Sequence, residues 1–439
     1  MTGHKLYPYQ REGVEWLKTK RFALLADQMG LGKTAQVITA ADELGCKNIL
    51  IICPSIARIT WQREFKLWSR ASQFTEIMTK RSDRPDTKNT GVVICSFDYV
   101  TNNAHILNKI KWDLLVVDES HFLKSMDSKR TKAVLSKTGV VHASRRIYFL
   151  SGTPMPNHPG ELWPMLHAFG GTDLPYYPFT FKFCEGYEFN GRRVITGARR
   201  KALPELRESL QSLMLRRETK NVLPDLPPVR ISELVVEAKL EKLTPQLKEE
   251  MDKLQDVLKH LENESPTKQL EALSIMASSI ATLRRYCAMM KVKPIVDLIT
   301  EELENGAYEK IVIFGIHREA IAGIQEGISK FNCVRIDGSV SPIERQRAID
   351  LFQNDPSCRA IAANISAAGT NISLTASSQM LLLEQDWVPG NNAQAIARCA
   401  RIGQKNSVYV RVASLQNTVD ERVQSILLSK TMDIKELLK

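Results

Sequence analysis

The chain has 439 residues, 43% hydrophobic and 25% charged, an ordinary globular composition with room for two or three domains. Sixty lysines and arginines against 49 acidic residues leave a formal charge of +11, which favours a polyanionic partner, most simply nucleic acid. Eight scattered cysteines without a C-x-x-C pair argue against a zinc site or a disulfide framework, and no apolar run has signal-peptide or membrane-spanning length. The expectation is a cytosolic protein, nucleoid-associated if its source is bacterial or viral, with no membrane partner.

In chain order, the first 170 residues alternate helical patterns with short aliphatic runs at 22–26, 48–53, 91–96, 114–118 and 147–151. Such runs, each closed by a turn-former or polar residue, read as buried parallel strands with crossover helices. The pattern resumes at 310–315, 333–338, 360–364, 380–384 and 408–412. The fold class is therefore α/β: two lobes with parallel sheets, plus helical insertions between and within them. Lobe 1 is expected over 1–175. A basic insertion and an extended Pro-rich linker (L-P-D-L-P-P-V-R, 223–230) follow over 176–228. A helical insertion broken at Ser265-Pro266 fills 229–290, and lobe 2 with a C-terminal helical brace fills 291–439.

Four motifs carry chemistry. After the first apolar run comes D-Q-M-G-L-G-K-T, Asp27 to Thr34. The backbone of Met29, Gly30, Leu31 and Gly32 would turn its N–H groups toward phosphates, and Lys33 would reach the β/γ-phosphates. Thr34 opens a helix and would hold Mg²⁺. The strict phosphate-loop pattern fails only at its first position, where Asp27 replaces Gly. At the end of L-L-V-V stands D-E-S-H, with Asp118 expected to hold Mg²⁺ through water and Glu119 to polarise the attacking water. S-G-T-P-M-P-N (151–157) is a hydroxyl-rich turn that either senses γ-phosphate or simply caps a helix. Arg398 and Arg401, spaced i, i+3, would share one helix face and neutralise transition-state charge; the alternative is a solvated basic face.

Taken together these motifs resemble the Swi/Snf-type branch of superfamily 2 helicase-like ATPases. L-Y-P-Y-Q-R-E-G-V-E-W-L (6–17) is similar to its adenine-reading Q motif, with Gln10 as the reader. C-P-S-I-A-R-I-T-W-Q-R-E-F (53–65), I-D-G-S-V-S-P-I-E-R-Q-R-A-I-D-L-F (336–352), the stretch 367–376 containing Gly369, and D-W-V-P-G-N-N-A-Q-A-I-A-R-C-A-R-I-G-Q (386–404) resemble further family motifs. M-L-R-R-E-T-K-N-V-L-P-D-L-P-P (214–228) looks most like the annealing-helicase (HARP-type) subgroup. The chain departs from the pattern with Gln28 for Glu, Asn371 for Gly and Ala400 for His.

The resemblance implies two RecA-like P-loop lobes, ATP and Mg²⁺ as cofactors, and nucleotide contacts from Gln10, the phosphate loop and Gly369. It implies DNA contacts by Arg58, Trp61, Ser96, His317, Asn364 and Ser366. The basic stretch with Arg199, Arg200 and Lys201 adds a phosphate-contacting surface, or else a solvated basic face. The expected activity is a monomeric, ATP-driven translocase on double-stranded or branched DNA. A strand-separating DNA or RNA helicase and a nucleotide-gated DNA clamp are the rivals.

Overall fold

Strand β5 (Trp112–Asp118) shows how the first sheet is made. Leu115 and Val117 point into one apolar cluster, Leu114 and Val116 into another, and all four are fully buried. A strand covered on both faces has no polar side to show, hence the unbroken aliphatic run. In this computed structural model the chain divides into two units, Met1–Pro224 and Asp225–Lys439. The structure describes residues 5–427 except 72–73, 87–90, 153, 156–157, 190–191, 225, 239–243, 261–271, 273–279, 369–371, 417 and 419.

The first unit holds β1 (Phe22–Leu25), β2 (Ile49–Cys53), β3 (Thr75–Ile77), β4 (Val92–Ser96), β5, β6 (Ser144–Leu150) and β9 (Met214–Leu215). They form one parallel sheet in the order β3-β4-β2-β5-β6-β1-β9. Its helices include α1 (Pro8–Thr19), α2 (Lys33–Glu43), α3 (Arg58–Trp68) and α4 (Phe97–Leu107). A separate antiparallel hairpin pairs β7 (Cys184–Phe189) with β8 (Arg192–Ala198) inside the stretch read as a basic insertion.

The second unit holds β10 (Val229–Val236), β11 (Ile311–Gly315), β12 (Val334–Ile336), β13 (Ala360–Asn364), β14 (Gln379–Leu382) and β15 (Val408–Leu415). They too are parallel, in the order β10-β15-β14-β11-β13-β12. Val312 and Phe314 face one cluster, Ile311 and Ile313 the other. A further cluster joins Leu247, Leu254, Leu283 and Cys287 to Leu415, Val423 and Leu427.

The α/β expectation, two lobes with parallel sheets, is what the structure shows. The interval 229–290 is not helical from its start: β10 pairs with β15 from Val229↔Val408 to Val236↔Leu415. The helices of that interval are Pro245–His260 and the first part of Ala281–Glu304. The break expected at Ser265-Pro266 lies outside the described residues, as does most of the C-terminal brace. All eight cysteines are buried thiols. Among the described residues no helix is long and apolar enough to cross a membrane.

Candidate nucleotide site

Three strand ends lie level in the first sheet. Register pairs Asp118 of β5 with Leu150 of β6, and Leu150 with Leu25 of β1. Because the sheet is parallel, the residues just beyond them, Glu119, Ser151 and Ala26, emerge on one edge. Ligands of open α/β sheets bind at that edge.

After β1 the chain enters the glycine-containing loop. Gly30 (φ 84°) and Gly32 (φ 72°) take left-handed backbone, which explains both glycines. Gly32 is the N-cap of α2, so the helix N-terminus opens directly on the loop. A Cβ at Gly32 would sit 2.4 Å from Gln10 Nε2, and one at Gly152 would sit 2.5 Å from Met29 Cγ. Gln10 is buried; its amide donates to Leu31 O (3.1 Å) and accepts from Tyr7 N (2.9 Å). The Tyr9 hydroxyl also donates to Leu31 O. Lys33 Nζ donates to the Asp27 carbonyl at 2.8 Å.

At the end of β5, Asp118 is buried, and its Oδ2 accepts from Trp61 Nε1 at 2.8 Å and its Oδ1 from Glu119 N at 3.0 Å. Burial and then the neighbouring Glu119 charge push its carboxyl up to about 6, with Trp61 and the Lys33 charge pulling the other way. Glu119 has φ 51°, left-handed backbone that no glycine relieves. Such a conformation costs on the order of 1–2 kcal/mol and is found where a side chain must be aimed. Burial lowers His121 to about 4, so its ring is neutral at pH 7. Its Nδ1 lies 3.1 Å from Ser151 Oγ and 3.3 Å from Glu119 Oε2. The hydrogen bond between the His121 ring and the Ser151 hydroxyl ties the β5 end to the β6 end.

The expected residues of the first unit therefore gather at one edge: Gln10, Met29, Gly30, Leu31, Gly32, Lys33, Thr34, Asp118 and Glu119. The DNA set fares differently. Trp61 is fully buried on α3 with its indole spent on Asp118, so the expected DNA contact is corrected to support of the acidic strand end. Ser96 is buried as the N-cap of α4, accepting from Tyr99 N. Arg58 is half-buried, donating to the Ser55 and Met78 carbonyls. Arg199, Arg200 and Lys201 are exposed.

In the second unit, Asn364 Nδ2 donates to Ile316 O (2.6 Å), and Ser366 Oγ donates to Asn364 Oδ1 (2.5 Å). His317 Nδ1 lies 2.6 Å from Glu384 Oε1, while Glu384 Oε2 accepts from the Ile316 and His317 N–H groups. His317, Asn364 and Ser366 thus meet around one backbone turn. Arg398 and Arg401 do not share a helix face as expected. The helix Pro389–Ile396 has ended, and the bonds of Arg398 and Cys399 tighten to i→i−3. The Arg398 carbonyl accepts from Leu374 N, and Arg401 Nη1 donates to Ile372 O. Gly369 lies outside the described residues, as do Asn371 and Thr153, Pro156 and Asn157 of the hydroxyl-rich turn.

Sequence reasoning missed Arg216 and Arg217 on the segment after β9. Arg217 forms a bidentate pair with buried Asp27, and Arg216 donates to Ala26 O. The signal was the R-R pair of the stretch 214–228, read only as a subgroup likeness within the basic insertion. It also missed Gln404, whose buried amide donates to Ser377 O (2.8 Å) and accepts from Lys405 N and Asn406 N.

Comparison with known proteins finds that residues 9–291 match the SNF2-related domain and residues 290–403 the helicase conserved C-terminal domain. Over 97% of its length the chain is 30% identical to a Caenorhabditis elegans protein, "SWI/SNF-related matrix-associated actin-dependent regulator of chromatin subfamily A-like protein 1 homolog", of which it covers 61%. Over 96% of its length it is 30% identical to "DNA annealing helicase and endonuclease ZRANB3" of Mus musculus, of which it covers 40%. The chain thus spans about three-fifths or less of these curated relatives. The solved "Sulfolobus solfataricus SWI2/SNF2 ATPase core in complex with dsDNA" aligns over 99% of this chain and 93% of that chain, with a TM-score of 0.46 and 24% identity.

Proposed function

Because the chain belongs to the SNF2-related family, we propose that it is an ATP-dependent translocase on double-stranded DNA that remodels DNA or protein–DNA complexes. The observation that carries the reading is the level edge of the first sheet, where a left-handed glycine loop, a helix N-terminus, Lys33 and the Asp118–Glu119 pair converge. ATP's phosphates fit the N–H groups of Met29 to Gly32, with Lys33 on the β/γ-phosphates. Gln10 reads the adenine. A hydroxyl and a carboxylate are the oxygen donors Mg²⁺ prefers, so Thr34 and Asp118 would hold it, and the ion would neutralise phosphate charge. Glu119, aimed by its unusual backbone, orients and polarises the attacking water. The resemblance assigns Arg398 and Arg401 to the charge that develops on the transferred phosphoryl group.

The choice of duplex DNA rests on the family and on the basic character of the chain. A motor that grips the phosphates of one strand has no need to open base pairs, since its contacts are to backbone and shape. Arg199, Arg200, Lys201 and the turn of His317, Asn364 and Ser366 are the proposed contacts. Two rivals remain: a strand-separating helicase and a nucleotide-gated clamp.

One set of assays separates the three. ATPase is measured with no nucleic acid, duplex, forked DNA, single strands and RNA, alongside triplex displacement and unwinding of a tailed duplex. Duplex or fork stimulation with ATP-dependent triplex displacement and little unwinding supports the translocase. Unwinding without triplex displacement promotes the helicase. Stimulated ATPase with neither promotes the clamp.

A further inference from the structure

Asp27, where phosphate loops ordinarily carry glycine, has no exposed surface. Its carboxylate accepts from Arg217 Nε (2.9 Å), Arg217 Nη2 (2.5 Å) and Gln36 Nε2 (3.1 Å). Arg217 spends its other donor capacity on Gln36 Oε1 (2.7 Å) and the Tyr9 carbonyl, and its guanidinium lies over the Tyr9 ring. One arginine therefore joins the Q-like helix, the phosphate loop and the helix that follows it. The fit is close: a Cβ at Gly13 would fall 1.9 Å from Gln36 Oε1 and 2.7 Å from Arg217 Nη2.

The backbone makes the same connection. Ala26 N donates to Leu215 O (2.7 Å), Gln28 N to Arg217 O (2.9 Å), and Thr219 N to Gln28 Oε1 (2.8 Å). The β1–β9 ladder thus continues through the first three residues of the loop. Asp27 and Gln28, two departures from the family pattern or from ordinary phosphate loops, are the residues that hold segment 215–219. The Asp27 and Gln28 carbonyls in turn accept from Lys33 Nζ.

We propose that Arg217 is the positioning residue of the nucleotide site: it neutralises the Asp27 carboxylate and fixes the loop that presents Lys33 to the phosphates. The proposal rests on the reading of that loop as the ATP site. A buried ion pair adds little net stability, because desolvation offsets attraction. Removing one partner is different, for it strands a charge. A stranded carboxylate beside incoming phosphates repels them, so the loss falls on ATP affinity. The planar fork of Arg217 serves three acceptors at fixed angles, which lysine cannot copy.

The test uses the full chain and reads the affinity of a fluorescent ATP analogue together with KM and kcat for ATP. Arg217→Gln raises Kd and KM by about tenfold or more, the scale of one stranded buried charge, with kcat within about threefold. Arg217→Lys keeps the charge but not the planar fork, and raises both by less. Adding Asp27→Asn to Arg217→Gln removes the stranded charge and returns KM to within about threefold of wild type. Asp27→Asn alone does not raise KM. A merely structural arginine would lower melting temperature and apparent kcat while leaving KM unchanged, and that result overturns the proposal. So does a double variant as impaired in KM as Arg217→Gln. Lys33→Ala is the control: if it binds the analogue normally, the ATP-site reading fails whatever Arg217 does.

Discussion

Both sheets are parallel and both place candidate site residues at their strand ends, yet the ends are furnished differently. In the first unit β1 leads to a loop with two left-handed glycines and an α2 N-terminus whose N-cap is itself glycine. In the second unit β11 leads to Ile316 and His317 at the start of the helix Arg318–Gly327. There the Glu384 carboxylate accepts both N–H groups. An internal anion thus accepts the N–H of the N-cap residue His317 and of the residue before it, where in the first unit the helix N-terminus opens on the phosphate loop. The same architecture carries a left-handed glycine loop in one unit and a buried carboxylate of its own in the other. The two strand–turn–helix units share a topology and differ in backbone freedom and in the acceptor that stands at the turn.

The sharpest way to break this asymmetry is to ask whether the second unit contributes to hydrolysis at all. Arg398→Ala and Arg401→Ala should spare ATP binding and cut DNA-stimulated turnover. An arginine finger is worth about 10³–10⁵ in rate, and at least one variant should approach that range. Arg401 donates to the Ile372 carbonyl and so has a local structural duty as well. Losses under about threefold in both would leave only a local role for these arginines.

Next comes the first unit. Glu119→Gln should still bind ATP but lose turnover by roughly 10²–10⁴-fold, the scale of general acid–base help. Wild-type hydrolysis by purified Glu119→Gln would remove the carboxylate from the chemistry. A smaller effect sharpens the DNA side. Charge reversal at Arg199, Arg200 and Lys201 should flatten the plot of log affinity against log salt by about one unit for each DNA phosphate the side chains no longer neutralise. An unchanged slope would show that this exposed stretch touches no phosphate.

How far the sequence could be read follows the same physics. The strands of Ile49–Cys53 and Ile311–Gly315 were plain because every residue is buried. β10 was hidden because it is an edge strand, with half its residues exposed and one buried, and follows a Pro-Pro pair that reads as linker. β9 has two residues, too few for any pattern. The phosphate loop was legible because its glycines have a conformational reason to be glycine. The Asp27–Arg217 pair was not, since its partners stand 190 residues apart and nothing local announces an ion pair. Trp61 was misread because a motif gives a residue's place along a helix but not the face it takes. For Arg398 and Arg401 the helix was overextended, since nothing in the sequence marks its end at Ile396.

The smallest prediction tests the closed end of the second sheet. Burial alone would raise the Glu384 carboxyl, but bonds from the His317 ring and backbone N–H outweigh it and hold the carboxyl at about 2. A carboxyl depressed in the folded state adds stability above its unfolded value of about 4.3. That stability is lost as pH falls through the folded value, so the window runs from about 4.3 down to about 2. At neutral pH the contribution is on the order of 2–3 kcal/mol, taking about 1.4 kcal/mol for each unit of depression. Glu384→Gln should therefore lower the unfolding transition of the full chain at pH 7 and narrow the gap between pH 7 and pH 3. Hydrogen exchange at the Ile316 and His317 amides should quicken at the same time, because those two N–H groups lose a charged acceptor. If exchange and the acid dependence both stay as in wild type, the internal carboxylate does not close this helix end. The contrast between the two sheets would then need another cause.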